Sequence, residues 1–233
     1  MKELKNDYKQ LPLISVEQFT QSMRDSGYKS PASAITDLMD NSIQANAERI
    51  GVFTRTGKIQ RNKKEVTGVT DIFLIDDGEG MDPNQLQTAP MWGGSSRHND
   101  RSSLGRFGIG APAAASYLSE NFAWLSKTQD SDLYELRIDL RAVAKGSYTL
   151  DSQVLVPRPE PAEIPSDVLE YAKKHGIDIQ RSGCVVHIKN PDRLHMAGWF
   201  MPKSFDAKLL NECGLIYRHR IENHEIFVND QLV

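Results

Sequence analysis

Cysteine is scarce: the 233 residues contain two, Cys184 and Cys213, and neither stands in a CxxC pair. A disulfide scaffold and a thiolate zinc site therefore lack support, and a reducing compartment is favoured. No apolar run approaches the roughly 20 residues of a membrane-spanning helix, and the N-terminal MKELKNDYKQ has no apolar core of a signal peptide. The expected location is the cytoplasm, with no membrane partner. An excess of one charge is also missing, since a net charge of -3 makes no demand for a nucleic-acid partner. The densest basic run, Lys58 to Lys64, falls between two predicted strands, where a solvated hairpin tip accounts for it better than a phosphate-backbone contact does. The stretch from Gly51 to Ile59 misses both the spacing and the hydroxyl of GxxxxGK[ST], which excludes the P-loop way of holding phosphates. No internal repeat or low-complexity tract is present.

What remains is an ordinary globular composition, 39% hydrophobic and 25% charged, at a length that suits a single large domain over residues 1–233. Residues through Lys9 are polar, and segment 1–14 is expected to be mobile. Ser15 caps a first helix. Ser30 followed by Pro31 starts a second, the hydroxyl capping free amides and the proline taking the first helical position, and this helix should run to about Ala45. GVFTR (Gly51 to Arg55) and DIFLI (Asp71 to Ile75) are predicted strands, and Asp82 before Pro83 begins a short helix. Residues 91–106 are rich in glycine, serine and charge without apolar periodicity, which suits a lid. A helix from Gly110 and strands at Asn121 to Lys127 and Leu133 to Leu140 follow. Then come a helix from Ser166, strand Cys184 to Lys189, a helix near Phe205 to Cys213 and strand Glu225 to Asn229. The order predicts an α/β two-layer sandwich, one mixed, mostly antiparallel sheet with helices on one face.

Three stretches carry candidate chemistry. In LIDDGEGMD (Leu74 to Asp82), a short apolar strand stops at Asp76 and turns through Gly78 and Gly80, whose missing side chains permit close approach. An acid at a strand end beside bare backbone is well placed to meet a ligand, though a tight turn accounts for the pattern equally well. In AITDLMDNSIQANA (Ala34 to Ala47), helical spacing sets Asp37 one turn before Asn41 at the edge of an apolar arc, and points Asp40 and Gln44 towards solvent. In GRFGIGAPAAASYL (Gly105 to Leu118), glycines at 105, 108 and 110 run into a helix N-terminus, where free amides around Gly108, Ile109, Gly110 and Ala111 favour an anion.

An acidic-amide helix, an Asp-Gly turn and a glycine loop, in that order, resemble the nucleotide-binding motifs of the GHKL superfamily, the gyrase, heat-shock chaperone, histidine kinase and MutL-type ATPases. The IDDGxGMD and GRFGIG forms look like those of the MORC branch and its bacterial relatives. The resemblance implies a Bergerat-type fold, an ATP cofactor with Mg2+, and roles for particular residues. Asn41 would ligate magnesium, and Asp37 would orient the attacking water as base. Asp76 would accept a hydrogen bond from the adenine amino group. Met81 would pack on the purine or serve as a core residue. Ser95, Ser96 and Arg97 would join the phosphates as the lid closes. Cys184 takes the place of a Thr that holds adenine through water in relatives, and a thiol is a weak partner for that contact.

Hydrolysing members commonly have Glu where this chain has Asp37, one methylene shorter, and a misplacement of about 1 Å costs on the order of 100-fold in rate. The resemblance thus implies a slow ATPase whose nucleotide state switches lid closure and homodimerisation to control an effector. A non-hydrolysing ATP sensor is the alternative. Residues 200–233 would lead towards a transducer region. Histidine kinase chemistry needs a phosphoacceptor His on a dimerisation helix, a setting that none of the six histidines has. Nucleic acid enters as a partner by family analogy alone.

Overall fold

The computed structural model describes residues 15–92, 110–151, 153–219 and 223–233. It begins with α1 (Val16–Ser26) and α2 (Pro31–Gln44), followed by β1 (Arg49–Arg61), β2 (Lys64–Asp76) and α3 (Pro83–Thr88). After α4 (Gly110–Leu118) come β3 (Asn121–Lys127), β4 (Tyr134–Asp139), α5 (Leu140–Ala144) and the two-residue strands β5 (Thr149–Leu150), β6 (Gln153–Val154) and β7 (Glu160–Pro161). The chain continues through α6 (Ser166–Lys174), β8 (Gly183–Lys189), α7 (Pro202–Tyr217), β9 (Glu225–Val228) and β10 (Gln231–Leu232). Capping chemistry fixes the helix starts. Ser15 accepts from the Gln18 amide, Ser30 and Ser33 cap each other reciprocally around Pro31, and Asp82 does the same with Gln85 around Pro83.

An eight-stranded sheet in the order β10-β9-β1-β2-β8-β3-β4-β7 forms the centre, every pairing antiparallel except β1 with β9. Side chains on β2 alternate between its faces. Ile72 and Leu74 join Leu38 and Met39 of α2 and Leu118 of α4 in the larger core, while Phe73 and Ile75 join Val168, Tyr171 and Ala172 of α6. Burial on both sides explains why Ile72 to Ile75 is an unbroken apolar run. It also amends the expected layering, because α6 covers the face opposite to α2 and α4. Its own apolar stripe had to be buried somewhere, and the back of β1, β2 and β8 is the free surface.

The first hairpin differs from expectation too. β1 and β2 pair all the way to Arg61 and Lys64, leaving Asn62 and Lys63, at φ 48° and 62°, as a two-residue turn. Most of the basic run therefore lies within strands. In the outer half of the ribbon only Gly68 and Val69 are buried, and the remaining residues are partly or fully exposed and carry no apolar pattern that sequence reading could follow. Among the described residues, no helix is long and apolar enough to cross a membrane.

Candidate functional site

Asp76 ends β2 between β1 and β8, where its neighbours in register are Ile50 and Cys184. Only 3% of its surface is exposed. A carboxylate so deprived of water needs compensating donors. The Ser42 hydroxyl donates to Oδ2 at 2.7 Å, the Gly78 amide to Oδ1 at 3.0 Å, and the Cys184 amide also donates to the carboxylate. Burial nevertheless wins, pushing the carboxyl from its ordinary 3.8 up to about 6, with the charge of Asp77 adding to the rise. Above that pH the group is an anion that only accepts hydrogen bonds.

The turn after Asp76 is locked by backbone proximity. Gly80 has φ +69°, and a Cβ there would fall 1.8 Å from the carbonyl oxygen of Lys127. Gly183 sits under the same constraint, since a Cβ there would fall 2.1 Å from the Asp76 carbonyl oxygen. Ser126 bridges the two segments, accepting from the Met81 amide at 2.9 Å and donating to the Gly183 carbonyl at 2.7 Å. The approach that demands glycine at 80 is thus made by the chain's own β3.

Above this floor lies a cavity of about 240 Å³. Of the residues singled out in the sequence, Asn41, Asp76, Gly80, Met81, Ala111 and Cys184 line it. Leu38, Trp124 and Val186 supply apolar wall, and Ser42 lines it as well. A buried acceptor under apolar walls suits a flat heterocycle with an amino group. Burial and the neighbouring Asp76 charge push the Cys184 thiol well above its ordinary value, so it stays protonated and weakly polar.

Asp37, Gly78 and Gly110 stand beside the cavity without lining it. Gly78 acts through its amide on Asp76, and a Cβ on it would meet the Ala45 carbonyl oxygen at 2.7 Å. Asp37 receives a hydrogen bond from the Tyr28 hydroxyl. Asn41 is one turn further on the same side of α2, its amide nitrogen donating to the Asp37 backbone carbonyl at 3.0 Å. That leaves the amide oxygen as the atom able to meet a cation. Among the described residues no group of three or more acidic, His or Cys side chains could hold a metal unaided. A lone amide oxygen fits magnesium only where phosphate and water complete the shell, which is how this ion is usually bound beside phosphates. Ser95, Ser96, Arg97, Gly105, Gly108 and Ile109 lie outside the described residues.

A family model described as "Histidine kinase-, DNA gyrase B-, and HSP90-like ATPase" matches residues 28–173, more than half of the chain and a span that holds Asp37, Asn41, Asp76 and the glycine loop. The chain belongs to this ATPase family. Human "ATPase MORC2" is 25% identical over 99 residues, which cover 42% of this chain and 9% of that protein. The "DNA mismatch repair protein MutL" of Rhodospirillum rubrum is 39% identical over 59 residues, 25% of this chain and 8% of MutL. The matched stretches thus span under a tenth of these relatives. Family membership supports ATP binding by the domain.

Ser42, Ser126 and Tyr28 were not assigned roles from the sequence. Ser42 offered a signal, a hydroxyl on a buried helical arc that has to find a partner. Asp40 was expected to point to solvent, yet it lies 3.2 Å from the Tyr217 hydroxyl of α7. A helix covered on a second side has no free outer face there, and α7 is too distant in sequence for the spacing within α2 to reveal it.

Proposed function

We propose that the domain binds ATP with magnesium, hydrolyses it slowly, and uses the nucleotide state to switch closure of segment 91–106 and homodimerisation, thereby controlling a downstream effector. The observation that carries the reading is Asp76, a carboxylate held by three donors at the floor of an apolar cavity. At neutral pH it accepts a hydrogen bond from the adenine amino group, whereas guanine would set a carbonyl against it and leave two acceptors facing each other. Met81 and Trp124 flank the base, and the amides at the start of α4, with Gly110 and Ala111, receive the phosphates. The amide oxygen of Asn41 would hold magnesium, which supplies positive charge against the phosphates. Asp37 takes the proton of the water that attacks the terminal phosphorus, and the products are ADP and inorganic phosphate.

Calorimetric titration with ATP and GTP, followed by single-turnover hydrolysis with and without magnesium, tests this. Expected are ATP binding, GTP weaker by on the order of 100-fold or more, and slow magnesium-dependent product. Equal binding of GTP would remove the role of Asp76. The short reach of Asp37 favours a second reading, a non-hydrolysing sensor, for which ATP binding without product is the signature.

A further inference from the structure

We infer that Tyr28 is the positioning residue for Asp37: its hydroxyl clamps one carboxylate oxygen so that the other faces the reacting water. The inference rests on the hydrolysis reading above and deepens it. Tyr28 lies in the short connection between α1 and α2, packed against the main core, and its hydroxyl meets Asp37 Oδ2 at 2.5 Å. The Gly110 carbonyl oxygen lies 3.3 Å from the same hydroxyl. An edge-on contact with Tyr117 of α4, ring centroids 5.5 Å apart, fixes the ring in place. Burial and the adjacent Asp37 push the phenol well above its ordinary value, so it remains a donor.

Gly110 packs beside the same oxygen, where a Cβ would fall 2.9 Å from Oδ2, so a larger residue there would crowd the clamped oxygen. Oδ2 is therefore the oxygen engaged by the phenol, beside the first residue of α4, and Oδ1 is the oxygen left for a proton. A free aspartate side chain turns among rotamers, and a base that does so seldom points at its water. Orientation by a third group is the usual remedy where a base must be aimed. It matters more here, because a carboxylate one methylene short has less reach to spare.

The test is a double-mutant cycle on the full chain, with ATP affinity from calorimetry, single-turnover rates and thermal melts for each variant. Tyr28→Phe keeps the ring and its contact with Tyr117 and removes only the hydroxyl. It should lower the hydrolysis rate roughly 10- to 100-fold, with ATP affinity unchanged within about twofold and the fold intact. In an Asp37→Asn background the same change should cause no further loss, because the two residues act as one unit. An unchanged or raised rate, equal losses in both backgrounds, or a parallel fall in ATP affinity would overturn the assignment. Wild-type protein that binds ATP without turnover would overturn it too, while leaving the nucleotide pocket standing. Absence of ATP binding by the wild type would instead remove the parent reading.

Discussion

The two ends of the candidate nucleotide site are built differently. At the base end, Asp76 is held by donors from α2, from its own turn and from β8, and glycines 80 and 183 leave the backbone no room to shift. At the phosphate end, Asp37 and Asn41 share one helix, and the Asp37 carboxylate depends on one phenol and one glycine. The first arrangement is over-determined by the sheet. The second is set by a few contacts and is open to change without disturbing the core. Under the proposed function, the contrast makes recognition and cleavage of ATP separable by mutation.

The largest expected effect breaks the phosphate end alone. Asp37→Asn should reduce single-turnover hydrolysis by on the order of 100-fold or more while calorimetric affinity for ATP stays within about twofold. The next measures the strain held at the base end. Native Asp76 keeps its proton up to about pH 6, whereas in the unfolded chain it releases it near the ordinary 3.8. Its contribution to stability is therefore complete below the lower value and lost as pH rises through the upper one. That loss is about 3 kcal/mol. Asp76→Asn does not titrate, so its stability relative to wild type should rise by a similar amount between about pH 4 and about pH 7 in urea unfolding. A smaller effect sharpens the same end. Ser42→Ala removes a donor to a buried carboxylate and should weaken ATP binding roughly 10-fold, as read by calorimetry, without altering the rate from the bound state.

Local chemistry made much of this visible in the sequence. Ser30-Pro31 marked the start of α2 and Asp82-Pro83 that of α3, because caps and proline act within a few residues. The run at Ile72 to Ile75 pointed to a buried strand, and Asn41, Asp76, Met81 and Cys184 do meet in one cavity. Contacts made across the fold were not legible. Tyr28 touches Asp37 around a turn, Tyr217 touches Asp40 from the far end of the chain, and α6 finds the back of the sheet. None of these leaves a period or spacing in the sequence. The ribbon beyond Arg55 escaped for the opposite reason: apart from Gly68 and Val69 it is a strand pair with little buried surface, held mainly by backbone pairing.

The most direct test of the account is calorimetric titration of ATP into wild type and Asp76→Asn at a pH above about 7, where the carboxylate is ionised. The expected result is a variant that remains folded and binds ATP weaker by on the order of 100-fold or more. A folded Asp76→Asn protein that binds ATP as tightly as wild type would contradict it.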